Sequence, residues 1–421
     1  MGPGHRGGVL NKDLHALERD RRTDLLLYLV GTGSWFTSNG IQMVLFAWLV
    51  TVRLHESPEK VGFAQSMMLM PMLFLLLVGG AASDRLGGAR LARIAQGLAL
   101  LPVAGLAFLL AGDVLAYGLL VVYALLMGAV GAFVTPARDG LLSQIAGTRI
   151  QRAVVLASLV QFAVQIVGFQ LAGAAEVLGP VTVLGVQLLV LAVGAGAFVL
   201  LERRLRHRVA PVAQQRIGMG KAIGEGLATV LASPAMRSVA VLNVLVGLFY
   251  MGAFQVGLPL LLREVHGAAP TELAQLNTVH MLGVVVTTVW LLRMGDVERR
   301  GRALIVGVVL GGVGLTGIAL AGSFPVLLVF NFCWGVTGGM VMAMARTIMQ
   351  EAAPADARGR VMAFFSLTLM GAGPLGALFS GLLVEHFGAQ LALLFPALVM
   401  MACGLLVALL TRLWELRPAT T

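Results

Sequence analysis

The sequence predicts an all-α membrane protein: twelve transmembrane helices in two six-helix bundles related by a pseudo-two-fold repeat. Composition, the spacing of charges and an internal repeat carry that reading. Of 421 residues, 58% are hydrophobic and only 12% are charged, with mean hydropathy +0.90. A soluble domain has about 25% charged residues. The polar side chains are too few to cover a soluble fold of this length, so the solvent around most of the surface is expected to be lipid.

A helix needs roughly 20 apolar residues to cross about 30 Å of hydrocarbon. Stretches free of Asp, Glu, Lys and Arg run 25–52, 61–83, 94–112, 114–137, 153–175, 177–201, 238–262 and 273–292, then 303–345, 361–384 and 386–411. Ten of these are single crossings. The stretch 303–345 is twice the needed length and is broken by Gly322, Ser323 and Pro325, a turn between two helices. Residues 1–23 are charged and no small-residue cleavage site follows, which reads as a retained tail rather than a signal peptide. The polar segment from Glu202 to Arg237 separates six spans from six. The chain thus divides into a tail (1–23), an N-terminal bundle (24–202), a linker (203–236), a C-terminal bundle (237–412) and a second tail (413–421). Within the linker, Ile217, Ile223, Leu227, Val230 and Leu231 recur at helical spacing, predicting an interfacial helix ended by Ser233-Pro234.

An even number of crossings places both termini on one side. If that side is cytoplasmic, 27 of 30 Lys and Arg lie inside and only Arg53, Lys60 and Arg263 lie outside, giving +14 inside against −4 outside. The net charge of +10 is therefore a topology signal, and no nucleic-acid partner is expected. Cys333 and Cys403 sit in apolar runs and read as core residues. No GxSxG, HExxH, P-loop or Cys/His cluster occurs, so no enzyme activity, cofactor or metal is expected. The Ala/Gly/Leu bias and 27 Arg against 3 Lys suggest a GC-rich bacterial genome and a bacterial cytoplasmic (inner) membrane location.

The halves repeat. At a shift of 208, Gly131 aligns with Gly339, Arg138 with Arg346, Arg152 with Arg360, Gly168 with Gly376 and Gly173 with Gly381; at 212, Asp84 aligns with Asp296 and Arg90 with Arg302. Paired six-helix halves are a recurrent design of secondary transporters. Gly80, Asp84, Arg85, Gly87 and Arg90, in GAASDRLGGAR, resemble the loop signature G-x-x-x-D-R-x-G-R-R of the major facilitator superfamily, and GDVERRGR, with Asp296 and Arg302, is a weaker copy. Gly88 and Ala89 stand where that family usually has basic residues. The segments 135–147 and 357–388 are similar to a branch of macrolide and catecholate-siderophore exporters, and the first also to lysophospholipid transporters. The resemblance implies alternating access, gating by Gly80, Asp84, Arg85, Gly87, Arg90, Asp296 and Arg302, and lipid-facing spans 3, 6, 9 and 12. Each loop carboxylate precedes a helix, where it is expected to satisfy N-terminal N–H groups and pair with Arg90 or Arg302.

Polar side chains inside a bilayer either bridge helices or line a cavity. Ser34, Ser38 and Gln42 recur every four residues on span 1, and Ser158, Gln161 and Gln165 share a face of span 5. As sets they favour a substrate cavity. Asn243, Tyr250 and Gln255 on span 7, Asn277 on span 8, and Asn331 and Trp334 on span 10 complete the candidate lining. His280, with an unperturbed pKa near 6.5, is either a proton-coupling group or a neutral ring held by a neighbouring Asn or carbonyl. Span 4 lacks a carboxylate or Arg, Tyr123 being its most polar mid-span group, and Gly168-Phe169-Gln170 lacks the proline of the family's fifth-span signature. Asp24, Asp139, Glu176 and Glu385 are fallback titrating groups. The leading expectation is a monomeric exporter of a lipophilic or amphipathic drug or siderophore-like molecule, with protons and the lipid bilayer as its other partners. The alternatives are a lysophospholipid transporter and a non-transporting sensor.

Overall fold

The computed structural model describes residues 4–146, 150–206, 219–267, 269–295, 297–354 and 357–415. Among the described residues every regular element is a helix. The first half comprises α1 (Gly4–Trp48) with a π-helical end (Leu49–Arg53), α2 (Pro58–Leu86), α3 (Gly88–Ala111), α4 (Tyr117–Ala146), α5 (Ile150–Gly173), the single turn α6 (Ala175–Leu178) and α7 (Pro180–Leu205). Then come α8 (Met219–Ala232), α9 (Pro234–Leu245), two π turns (Val246–Met251 and Ala253–Gly257), α10 (Leu258–His266) and α11 (Pro270–Met294). The chain continues through α12 (Arg300–Ala319), α13 (Phe324–Ala352), α14 (Arg358–Leu410) and a 3-10 turn (Arg412–Glu415).

Local chemistry sets these boundaries. Pro58, Pro180, Pro234 and Pro270 open α2, α7, α9 and α11, where a missing N–H leaves no hydrogen bond unmade. Among the described residues, ten helices are apolar and long enough to cross a membrane, and α2 is an eleventh when followed through a 54° bend between Leu76 and Val78. At 1.5 Å per residue the 53 residues of α14 would extend about 80 Å, more than twice the hydrocarbon thickness. The helix breaks at Gly388 (φ 77°), three residues beyond the charge at Glu385 that marks the boundary in the sequence. Only glycine takes that backbone without strain. The chain is thus a multi-pass membrane protein.

Two observations bear on the tail and the linker. Residues 4–20, read as a tail, continue the helix of α1 without a break. The linker helix is α8; Ile217 lies outside the described residues. Val230 is its buried contact, while Leu227 and Leu231 are exposed. A Glu225–Arg360 ion pair (3.3 Å) ties α8 to the start of α14. Ser233 ends α8 and caps α9, its Oγ accepting from the Met236 amide.

In the first half, α1 packs on α5 and α7, α2 on α4, and α3 on α4 and α7; in the second, α11 packs on α13, and α12 on α13 and α14. Apolar side chains gain nothing from leaving lipid for one another, so close backbone approach holds such helices together. A methyl at Gly40 would lie 2.4 Å from the Gln165 carbonyl oxygen where α1 crosses α5. One at Gly252, 212 residues later, would lie 2.2 Å from the Gly376 carbonyl oxygen where the π-helical segment crosses α14. The sequence repeat therefore falls on matching helix crossings.

Candidate functional site

Among the described residues, the hydrogen bonds between the halves lie at one end. There α2 lies on α14 through facing glycines: a Cβ on Gly62 would sit 2.6 Å from the Ala377 carbonyl oxygen, and one on Gly381 would sit 2.6 Å from that of Pro58. Beside this seam α5 meets α11. Gln170 Nε2 donates to Thr278 Oγ1 (2.7 Å), Thr271 Oγ1 donates to Glu176 (2.5 Å), and a Cβ on Gly173 would reach Ala274 at 2.8 Å. Arg263 closes the same end, its Nη1 donating to the carbonyls of Glu56 (2.8 Å) and Thr51 (3.3 Å) across the halves. Gly371, whose Cβ would lie 3.1 Å from Leu73, marks how deep the contact runs; Leu73 is 15 residues, about 22 Å, from Pro58. Toward the Asp84 end no hydrogen bond or ion pair between described residues joins the halves, and substituents at Gly80, Gly87 and Gly359 would meet open space. Among the described residues, the contacts between the halves thus gather at the Gly62 end.

The first-half polar residues divide. Gln42 Nε2 donates to Met68 Sδ (3.1 Å) and Gln165 Nε2 to Asn39 Oδ1 (3.3 Å), while Gln161 is half-buried. Ser34 and Ser38 point elsewhere: Ser34 Oγ accepts from Gln96 on α3, and Ser38 Oγ accepts from Gln187 on α7 (2.9 Å). Both serines make interhelical bonds within the first half. Their partners explain two glutamines in spans expected to face lipid, since Gln96 and Gln187 are fully buried. Such bonds contribute about 0.6 kcal/mol on average. Ser38→Ala is accordingly expected to lower the thermal midpoint slightly and leave ligand affinity unchanged in a titration; weakened binding would place Ser38 in the cavity.

The second half gathers its candidates more tightly. His280 Nδ1 lies 3.2 Å from Asn331 Oδ1, and Asn331 Nδ2 donates to the Leu276 carbonyl (2.7 Å). That second bond fixes the amide, leaves Oδ1 as the acceptor, and makes Nδ1 of a neutral His280 the donor. Trp334 packs edge-on against His280 (5.2 Å between centroids), Tyr250 (5.7 Å) and Phe254 (6.0 Å), and Phe254 lies 4.6 Å from His280. Tyr250 donates to the Val308 carbonyl (2.7 Å). Four aromatic rings and one fully buried amide thus form one cluster where α11 and α13 meet the π-helical segment. Phe254 belongs to it and is invisible in the sequence, where one phenylalanine of 19 in an apolar run carries no signal. Two candidates stay outside: Asn243 donates to Thr368 Oγ1 (2.8 Å) and the Phe365 carbonyl (3.0 Å), and Asn277 donates to its own helix at Leu273 (2.8 Å).

The loop residues differ from expectation in their bonding. Asp84, Arg85, Gly87 and Arg90 are all exposed and Gly80 is half-buried. The N-cap of α3 is Gly87 with no side-chain cap, so Asp84 does not satisfy that helix end. Asp296 lies outside the described residues. Arg302 stacks over Trp414 (4.7 Å), and the ion pair at that loop is made by Arg300 with Glu351.

Known proteins share this architecture. Over 93% of the chain and 98% of its own length, the nucleoside transporter NupG superposes with TM-score 0.71 at 13% identity. A bacterial homologue of the lysosomal transporter Spinster, in an inward-facing and unoccupied conformation, gives 0.67 at 14% identity over 94% and 96%. In sequence, the multidrug efflux pump Tap of Mycolicibacterium fortuitum is 28% identical across 95% of this chain and 98% of its own. Tap of Mycobacterium tuberculosis is 26% identical over 95% and 96%, and the uncharacterized transporter YfiS of Bacillus subtilis is 25% identical over 88% of each chain. The family model of the major facilitator superfamily matches residues 28–269 and 240–420. Matched along nearly its whole length by that family model, this multi-pass membrane protein belongs to the major facilitator superfamily of transporters.

Proposed function

We propose that the protein is a secondary active exporter that moves a lipophilic or amphipathic small molecule out of a bacterial cell by alternating access. In this reading it works as a monomer, with twelve crossings in two six-helix bundles and both termini cytoplasmic. The asymmetry of the contacts between the halves carries the proposal: the Gly62–Gly381 seam joins them at one end, and the Asp84 end, where no hydrogen bond or ion pair between described residues joins them, is read as the mouth of a cleft. The positive-inside bias makes the Asp84 end cytoplasmic, so this conformation is inward-facing and loads from the cytoplasm or inner leaflet. Asp84 and Arg85 are exposed here because, in this reading, they meet the opposite half only when the cleft opens outward. The aromatic cluster supports an apolar, flat substrate, since rings offer stacking area and Asn331 and His280 are its only strong polar groups beside the Tyr250 hydroxyl. The pumps called Tap, similar over 95% of this chain, support the multidrug class. His280 serves as the proton-coupling group, carrying an exchangeable proton on Nε2 while Nδ1 stays bonded to Asn331.

Purified protein reconstituted in liposomes tests this reading. Lipophilic cations and macrolides are expected to raise the thermal midpoint and to be transported when a pH gradient is applied. Trp334→Ala is expected to weaken their binding about tenfold, equivalent to some 1.4 kcal/mol. His280→Gln keeps a donor for Asn331 and removes the titration; flux driven by the gradient should fall while downhill exchange persists. Unchanged gradient-driven flux would end the role of His280. A response to lysophospholipids alone would make the protein a lipid transporter, and binding without flux would make it a sensor.

A further inference from the structure

We infer that the junction between the start of α12 and the C-terminal 3-10 turn is a binding site for the phosphodiester headgroup of an anionic membrane lipid. A cavity of about 400 Å³ lies there, lined by Arg299, Arg302, Trp414 and Glu415. Three observations make it a built site. First, the turn is docked rather than dangling. A Cβ on Gly301 would overlap the Leu413 carbonyl oxygen, so only glycine lets the turn lie against α12, and Leu413 is buried beneath it. Thr411 secures the approach, its Oγ1 donating to the Val407 carbonyl (2.7 Å) and accepting from the Leu413 amide (3.3 Å). Second, the docked turn holds Trp414 under the Arg302 guanidinium at 4.7 Å, which fixes the plane of that guanidinium while leaving its N–H edge free for an oxyanion. Third, the two guanidiniums are held without ion pairs and outnumber the one carboxylate beside them. Among the described residues neither Arg299 nor Arg302 has an ion pair, whereas neighbouring Arg300 is paired with Glu351.

The depth of the cavity selects a lipid. It sits where α12 enters the membrane and α14 leaves it, with Leu409 and Leu410 as the last, largely exposed residues of α14. Phosphates of the bilayer lie at that level, and a tryptophan there is at home. The lining charge is two arginines against one glutamate, net +1, which favours a headgroup of net negative charge over a zwitterion. Glu415 accepts from a hydroxyl donor of the headgroup, as a glycerol headgroup provides. Acyl chains then lie along the apolar ends of the two helices.

Full-length protein, delipidated in detergent, would be titrated with phosphatidylglycerol, with phosphatidylcholine, and with inorganic phosphate, counting bound lipid by native mass spectrometry and following the thermal midpoint. Phosphatidylglycerol is expected to bind and stabilise, phosphatidylcholine to bind at least about tenfold more weakly, and phosphate to leave the midpoint unchanged. The exposed pair Arg299→Gln with Arg302→Gln should remove the preference without unfolding the protein. Gly301→Ala, which keeps every charge but displaces the turn, should do the same. Equal binding of the two lipids, a preference that survives in the double variant, or stabilisation by phosphate alone would overturn the lipid assignment.

Discussion

Gly62→Ala is expected to deplete the conformation described above by one to two orders of magnitude while leaving the protein folded. The added methyl would lie 2.6 Å from the Ala377 carbonyl oxygen and 3.0 Å from Gly381 Cα, both backbone atoms that cannot rotate away. Forcing a methyl into such a contact costs about 1–3 kcal/mol. The strain falls on a contact between halves, so it is relieved by parting them, and the same energy shifts the balance toward an open seam by roughly 5- to 150-fold. Spin labels at exposed Glu59 and His386, with Cys333 and Cys403 replaced by Ala, flank the seam and read its width. A distance distribution unchanged from the parent would show that the seam does not hold this conformation.

Gly335→Ala should have a different and more damaging outcome. Its methyl would lie 2.1 Å from the His280 carbonyl oxygen, and the facing Gly283 is as tightly placed against Phe332 (2.4 Å). Here α11 and α13 belong to the same half, so no alternative conformation relieves the clash. The helices must part by roughly 1 Å, enough to break the His280–Asn331 bond and leave a buried amide unsatisfied, which adds about 1–3 kcal/mol to the packing loss. Folded yield and thermal midpoint should both fall sharply. Gly359→Ala, where a methyl meets open space, is the matched control and should be silent. Equal melting of the two variants would refute the close crossing.

These contrasts bear on what a reader of the sequence can see. The spans were legible because lipid imposes length and excludes charge, and even the break within α14 was placed to three residues by Glu385. The cluster of His280, Asn331, Trp334 and Tyr250 was legible in membership, since each is an uncommon residue in an apolar run. Its geometry was not, because helical spacing tells which side chains share a face and says nothing of which helix that face meets. Ser34, Ser38 and Gln42 show the difference: one stripe, yet two members bond to α3 and α7 and the third to α2. The glycines of the seam were hidden by abundance. With 53 in the chain, Gly62 and Gly381 look like any others until the backbones they bring together are seen.

The bareness of that seam has a kinetic consequence. Two glycine backbones in contact attract largely by dispersion, which decays so steeply that a gap of about 0.5–1 Å forfeits a quarter to a half of the attraction. The side-chain hydrogen bonds beside it, from Gln170, Thr271 and Arg263, are short-ranged as well and weaken steeply once stretched. A seam of this kind has little elastic range: it stays shut until a fluctuation exceeds the reach of the force, and then it lets go at once. The seam should therefore behave as a snap rather than a spring, with brief, all-or-none openings.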